Sequence, residues 1–178
     1  RESFRTVGPA ALGHRYSYCH SKRAGTIIVR LSDHFTLQEL CKSQTALRLG
    51  ISNQPTKDHI ESLRHLCETV LEPIRLEYGP FTPSSGYRSK ELNQKIGGSR
   101  RSQHSKGEAA DIEVPGVSNK ELAEFIFDNL NYDQLILEYW SEENDDPNNG
   151  WVHVSTIRQT CRKQCLSYDG HTYQNLLL

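Results

Sequence analysis

The sequence predicts a small single-domain α+β fold, a central antiparallel sheet flanked by helices, on three observations. Helix signals concentrate between Thr36 and Gly98, strand signals concentrate from Ala109 onward, and 178 residues suit one buried core. Residues 31–178 are read as that domain and residues 1–30 as a basic N-terminal extension, flexible in the way termini often are.

The elements follow in order. Gly25–Leu31 is β-rich and reads as a short edge strand. Thr36-Leu-Gln-Glu39 has the form of a capping box and opens a helix over Thr36–Lys42. The strongest helix starts after Pro55-Thr56, where Ile60, Leu63, Cys67, Val70, Leu71 and Ile74 recur at helical spacing. Pro73 should stop or kink it, and Gly79-Pro80 should finish it. Ser84–Arg88 reads as a short strand and turn. Ser89 caps a helix that ends at Gly97-Gly98. The loop 99–105 leads to a strand at Ala109–Val114, closed by Pro115-Gly116. Ser118-Asn-Lys-Glu121 is a second capping box, and its helix buries Leu122, Phe125, Ile126 and Leu130. Strands at Asp133–Trp140 and Trp151–Thr156 then form a hairpin around the acidic loop 141–150. Asp169-Gly170 marks a turn within a last strand pair.

Composition removes several function classes. The net charge of −1 points to neither nucleic acid nor membrane, and no apolar run reaches the ~18 residues of a spanning helix. The charge is uneven: six basic residues against Glu2 put +5 on residues 1–30, leaving −6 on the rest. We read the basic leader as a solvated tail in preference to an arm for an anionic partner. It lacks the apolar core of a signal peptide, and the chain opens on Arg1 as a fragment or processed product would. Five cysteines, an odd number without a dense framework, argue for thiols rather than a disulfide scaffold. Cys161 and Cys165 have CxxxC spacing but no second pair, so they are read as structural or free thiols.

The chemistry concentrates in Ser102-Gln-His104-Ser-Lys-Gly107-Glu-Ala109-Ala-Asp111 and Gly150-Trp-Val-His153-Val-Ser155. Two imidazoles and a carboxylate are the three-ligand set that leaves zinc one open position for activating water. Alternation on the strand puts Asp111 with Ala109 and Glu113 on one face and Ala110, Ile112 and Val114 on the core face, so Glu113 competes with Asp111 as a ligand. His153 alone would read as a hydrogen-bonded core histidine. Glu138 sits in the apolar strand Gln134-Leu-Ile-Leu-Glu138, where a carboxylate is costly unless paired or functional. It is the candidate general base, with an edge glutamate reaching solvent as the equal alternative. Arg88, at a strand end, can hold a carboxylate or polarise a carbonyl. His59 and His65 miss the i, i+4 metal spacing. His14, His20, His34 and His171 fall in loops or tails. The acidic run 142–146 lacks the ordered pattern of a calcium loop.

These motifs resemble the SxHxxGxAxD signature of zinc D-Ala-D-Ala carboxypeptidases and related peptidoglycan peptidases, from about Ser32 to Ser155 and on to the C-terminus. Ser84-Ser-Gly-Tyr-Arg-Ser, Asp133-Gln-Leu-Ile and Trp151-Val-His-Val-Ser are similar to the branch common in phages and prophages. The resemblance implies a fold like that of the D-Ala-D-Ala peptidases and the Hedgehog signalling domain. It implies Zn2+ on His104, Asp111 and His153, and Arg88 orienting substrate and steadying the oxyanion. The implied substrate is a peptidoglycan stem peptide, cut at or near D-Ala-D-Ala, with an internal L-Ala-D-Glu-type cut as the alternative. Ser102, Gln134 and Trp151 join Arg88 as expected substrate contacts. Many relatives carry a carboxylate base three residues before the last histidine, where this chain has Gly150, and Glu138 is the substitute. Zinc ligation alone does not make an enzyme, as the Hedgehog domain illustrates, so a non-catalytic wall-binding or virion protein is the rival reading. The resemblance implies a place in the host cytoplasm before release to the wall, or on a virion; the residues carry no signal for an oligomeric state.

Overall fold

A computed structural model describes residues 22–23, 26–141, 146 and 148–176. Most of the leader, Cys19, His14, His20 and most of the acidic run lie outside the described residues. Two strands pair antiparallel at the start, β1 (Lys22–Arg23) and β2 (Thr26–Ile27). The expected edge strand is thus shorter than predicted, with a single bridge from Arg30 to Thr36 beyond it.

Helix α1 (Leu37–Leu40) carries the expected capping box: the Glu39 N–H donates to Thr36 Oγ1, and the Thr36 N–H donates to Glu39 Oε2. Helix α2 (Gln44–Leu49), capped by Ser43 and ended by left-handed Gly50, is one that periodicity did not reveal. The long helix runs as α3 (Lys57–Leu66), a π turn (Cys67–Leu71) and α4 (Glu72–Tyr78). Pro73 therefore neither stops the helix nor breaks its course. A proline ring collides with the carbonyl four residues back, and the wider π turn just ahead of it accommodates the missing N–H. Helix α5 (Lys90–Lys95) follows the Ser89 cap, and α6 (Asn119–Asn129) follows Ser118, whose hydroxyl accepts from the Glu121 N–H.

Five strands form the main sheet in the order β3-β5-β4-β6-β7: β3 (Ala109–Ile112), β4 (Gln134–Glu138), β5 (Trp151–Ser155), β6 (Gln164–Tyr168) and β7 (Tyr173–Asn175). The sheet is mixed, which corrects the expected all-antiparallel arrangement: β6 lies parallel to β4. The cause is local. The chain leaves β5 and crosses the start of β4, where Asp133 captures it. Asp133 accepts from the Arg162 backbone N–H at 2.9 Å and from Arg162 Nη2 at 2.6 Å, and its carbonyl accepts from the Gln164 N–H. Lys163, at φ 55°, turns the corner.

Register sorts the sheet into two faces. Ala110, Ile112, Val152, Val154, Leu135 and Leu137 point to the back, are buried, and join Leu63, Leu66, Val70, Leu71, Ile74, Leu122 and Ile126 in one core. Burying each such side chain contributes about 1.5–3 kcal/mol, so this face fixes the register. The front face then has no freedom: Asp111, His153 and Ile136 fall in one row across β3, β5 and β4, and Trp151 and Glu138 in the next.

Candidate metal centre

Asp111 is paired on both sides. Its backbone bridges to Ser85 on one flank and to His153 on the other. The Ser84–Gly86 segment acts as an added edge: the Ser84 N–H donates to the Asp111 carbonyl at 2.9 Å, and the Asp111 N–H to the Ser85 carbonyl at 2.9 Å. His104 lies on a short 3₁₀ turn, Gln103–Lys106, closed by Gly107 at φ 72°. A Cβ on Gly107 would stand 2.5 Å from the His59 carbonyl oxygen, so the turn can seat against α3 only with glycine there.

The three side chains converge. His104 Nε2 lies 3.1 Å from Asp111 Oδ1 and 3.2 Å from His153 Nδ1, and His153 Nδ1 lies 3.0 Å from Asp111 Oδ1. Zinc with four ligands at about 2.0 Å spaces its ligand atoms about 3.3 Å apart, so these three atoms already form one face of such a tetrahedron. His104 Nδ1 is 2.7 Å from the Gly86 carbonyl oxygen, which accepts a hydrogen bond from Nδ1–H and leaves the Nε2 lone pair facing the cluster. Burial pushes the His104 imidazole below its ordinary value, more than Asp111 raises it. Burial pushes the Asp111 carboxyl up, but the charge and hydrogen bonds of His104 and His153 outweigh it and hold it well below the usual carboxylate range. A neutral imidazole and an ionised carboxylate are the forms that bind a metal. This donor set fits zinc. Among the described residues it is the group of histidine, cysteine and acidic side chains that converges this way. Glu113 is exposed and outside it.

Arg88 secures the carboxylate's outer oxygen. Its Nη2 is 2.6 Å from Asp111 Oδ2, its Nε donates to Ser85 Oγ at 3.0 Å, and its backbone N–H donates to the His104 carbonyl. The cluster opens into a cleft of about 980 Å³ whose walls include Arg88, Ser102, Gln134, Glu138 and Trp151. Glu138 shares the front face with His153, one row on. Burial pushes its carboxyl above the ordinary value, Asp111 adds to this, and His153 and Arg88 oppose it. Gln134 donates from Nε2 to Gln164 Oε1 at 2.8 Å. The other described histidines stay apart from the cluster: His34 pairs with Glu72 at 2.8 Å, and His59 completes the cap of α3 with Thr56.

The network of Gln103, Asp133 and Arg162 escaped the sequence reading, because residues 29 or more apart carry no shared spacing signal. Gln103 Nε2 donates to Asp133 Oδ2 at 3.0 Å, and Gln103 Oε1 accepts from Ser155 Oγ at 2.8 Å, tying the turn that carries His104 to the sheet. Burial pushes the Asp133 carboxyl up, but the Arg162 and Gln103 hydrogen bonds hold it below its ordinary value. A depressed carboxylate stabilises the fold fully above its unfolded value, near pH 4, and loses that contribution as pH falls through the folded value. Asp133→Asn should therefore cost about 2 kcal/mol at neutral pH and flatten the decline of Tm below about pH 4, as thermal melts across that range would measure. Equal acid slopes for both proteins would remove Asp133 from the account.

Cys41, Cys67, Cys161 and Cys165 are unpaired with one another, and burial pushes Cys41 up to about 12 and Cys165 to about 11.

The peptidase M15 profile matches residues 33–155, more than half of the chain, and the matched span holds all three converging side chains. The chain belongs to the peptidase M15 family. M15 peptidases are zinc-dependent, so membership makes this chain a metallopeptidase of a zinc family and agrees with the donor set. No curated protein matches this M15 chain. The match ends at Ser155, so β6 and β7 lie beyond it. No helix among the described residues is long and apolar enough to cross a membrane.

Proposed function

We propose that this M15 peptidase cleaves peptide bonds in the stem of bacterial peptidoglycan, at or near the D-Ala-D-Ala end. In this reading His104, Asp111 and His153 are the zinc ligands, Glu138 is the general base and Arg88 binds substrate. The carrying observation is the ligand triangle, with sides of 3.0–3.2 Å, opening into a cleft that Glu138 also faces. Zinc bound there supplies a Lewis acid for the attacking water and the scissile carbonyl. Glu138 takes the proton from the water and returns it to the leaving amine, a role suited to a carboxylate whose affinity for protons is raised by burial. Arg88 spends two donors on Ser85 and Asp111 and has others for a substrate oxygen. Ser102, Gln134 and Trp151 line the approach and contact the stem. The work of such an enzyme lies at the cell wall, reached on release from a host cytoplasm or from a virion.

Gly150, where many relatives place the base, favours one rival: a zinc protein that holds wall material without cutting it. Mass spectrometry of stem peptides incubated with zinc-loaded protein, with His104→Ala alongside, separates the two. We expect loss of one alanine residue, absent in the variant. An internal cut would make the enzyme an endopeptidase. Intact peptide from folded, zinc-bound protein would leave the binding reading.

A further inference from the structure

The cleft does not end at Glu138. Trp151 and Tyr168 are its direct register neighbours on the front face, and Tyr173 lies opposite Tyr168. Strand alternation would send Tyr139 to the back. Instead its φ of 56° swings the ring to the front, where it meets Trp151 at 5.1 Å and Tyr168 edge-on at 5.4 Å. Tyr173 stacks on Tyr168 at 4.4 Å and 24°. Tyr168 is anchored by its hydroxyl, which donates to the Gly170 carbonyl at 2.8 Å. Gly170 is the turn residue against which the Tyr139 ring lies, 3.1 Å from where a Cβ would be.

Four aromatic rings thus form a continuous strip that starts about 7 Å along β5 from His153 and crosses the sheet at about 4.8 Å per strand. Tyr139 is 47% and Tyr173 58% exposed, and both rings line the metal cleft. Single exposed aromatics are ordinary; a joined set held partly by a left-handed non-glycine residue is a feature that strain elsewhere must support.

We propose that this strip is a subsite for a sugar ring of the glycan strand, an N-acetylhexosamine, bound while its attached peptide occupies the metal centre. The inference rests on the peptidoglycan reading above. The chemistry suits the ligand: a pyranose presents an apolar C–H face to an aromatic plane, and its hydroxyl and amide edges find phenolic partners, which an aliphatic groove would lack. The strip is also continuous with the metal cleft, so one ligand can span both.

The test uses full-length, zinc-loaded protein and two substrates: a stem pentapeptide, and the same peptide attached to its disaccharide. For the wild type we expect a KM about tenfold lower with the sugar present. Tyr173→Ala and Tyr139→Ala should bring the ratio of the two KM values to within about twofold of unity, and Tyr173→Phe should keep it. A wild-type ratio of unity, or a Tyr173→Ala loss shared equally by both substrates, overturns the subsite. If neither substrate is cut, the peptidase reading fails, and the subsite is read separately. Chitotriose should then still quench Trp151 emission in a Trp140→Phe background, and lose that effect with Tyr173→Ala; absence of quenching overturns it.

Discussion

Glu138→Gln is expected to lower kcat by about 10²–10⁴ while zinc stays at one per chain. The amide keeps the shape of a half-buried side chain and removes only the proton acceptor. Register separates the proposed base from the candidate ligands. Glu138 sits opposite Trp151, one row beyond the Asp111–His153–Ile136 row, and no hydrogen bond of the ligand triangle runs through it. Metal content, melting temperature and steady-state rate on a stem peptide therefore give three independent readings. The expected pattern is unchanged zinc, a small shift in Tm and a collapsed kcat. A variant within threefold of the wild-type rate would remove Glu138 from the chemistry. Loss of zinc with activity would make it a positioning residue instead.

The convergence of His104, Asp111 and His153 was legible in the sequence because each of the three sits in a segment with strong local constraints. Gly107 must be left-handed beneath α3, and Asp111 and His153 lie on strands whose alternate residues are apolar. The capping box of α1 was legible for the same reason, both partners lying three residues apart, whereas at α6 Ser118 caps the Glu121 N–H without the reciprocal half of the expected box. What was hidden depends on distant partners. The parallel placement of β6 rests on Asp133 meeting Arg162, and the turn carrying His104 is tied down through Gln103 and Ser155. The π turn ahead of Pro73 lies within an unbroken apolar period, so the pattern is silent on how the proline is absorbed. Tyr139 follows five strand residues, and alternation predicts the wrong face for it because alternation assumes extended backbone.

Gly150→Ala should have the largest effect on stability, a loss above about 4 kcal/mol and a fall in Tm of about 10 °C or more. Two costs coincide at this position. Its φ of 72° is a left-handed conformation that an L side chain resists by about 1–2 kcal/mol. A Cβ there would also collide with the Glu138 carbonyl oxygen, which is backbone and cannot rotate aside. The relief would be to part β4 from β5, but Asn119, itself buried, donates from Nδ2 to the Gly150 carbonyl at 3.2 Å and pins the strand entrance to α6. The geometry has a catalytic consequence. A carboxylate base three residues before His153 needs a Cβ at 150, and the Glu138 backbone occupies that space. Gly150→Glu should accordingly restore no activity to Glu138→Gln and should destabilise the fold as Gly150→Ala does. Rescue of turnover by that second substitution, in a protein melting near the wild-type temperature, would show that β4 and β5 can separate at this end and that the base can be supplied from either strand.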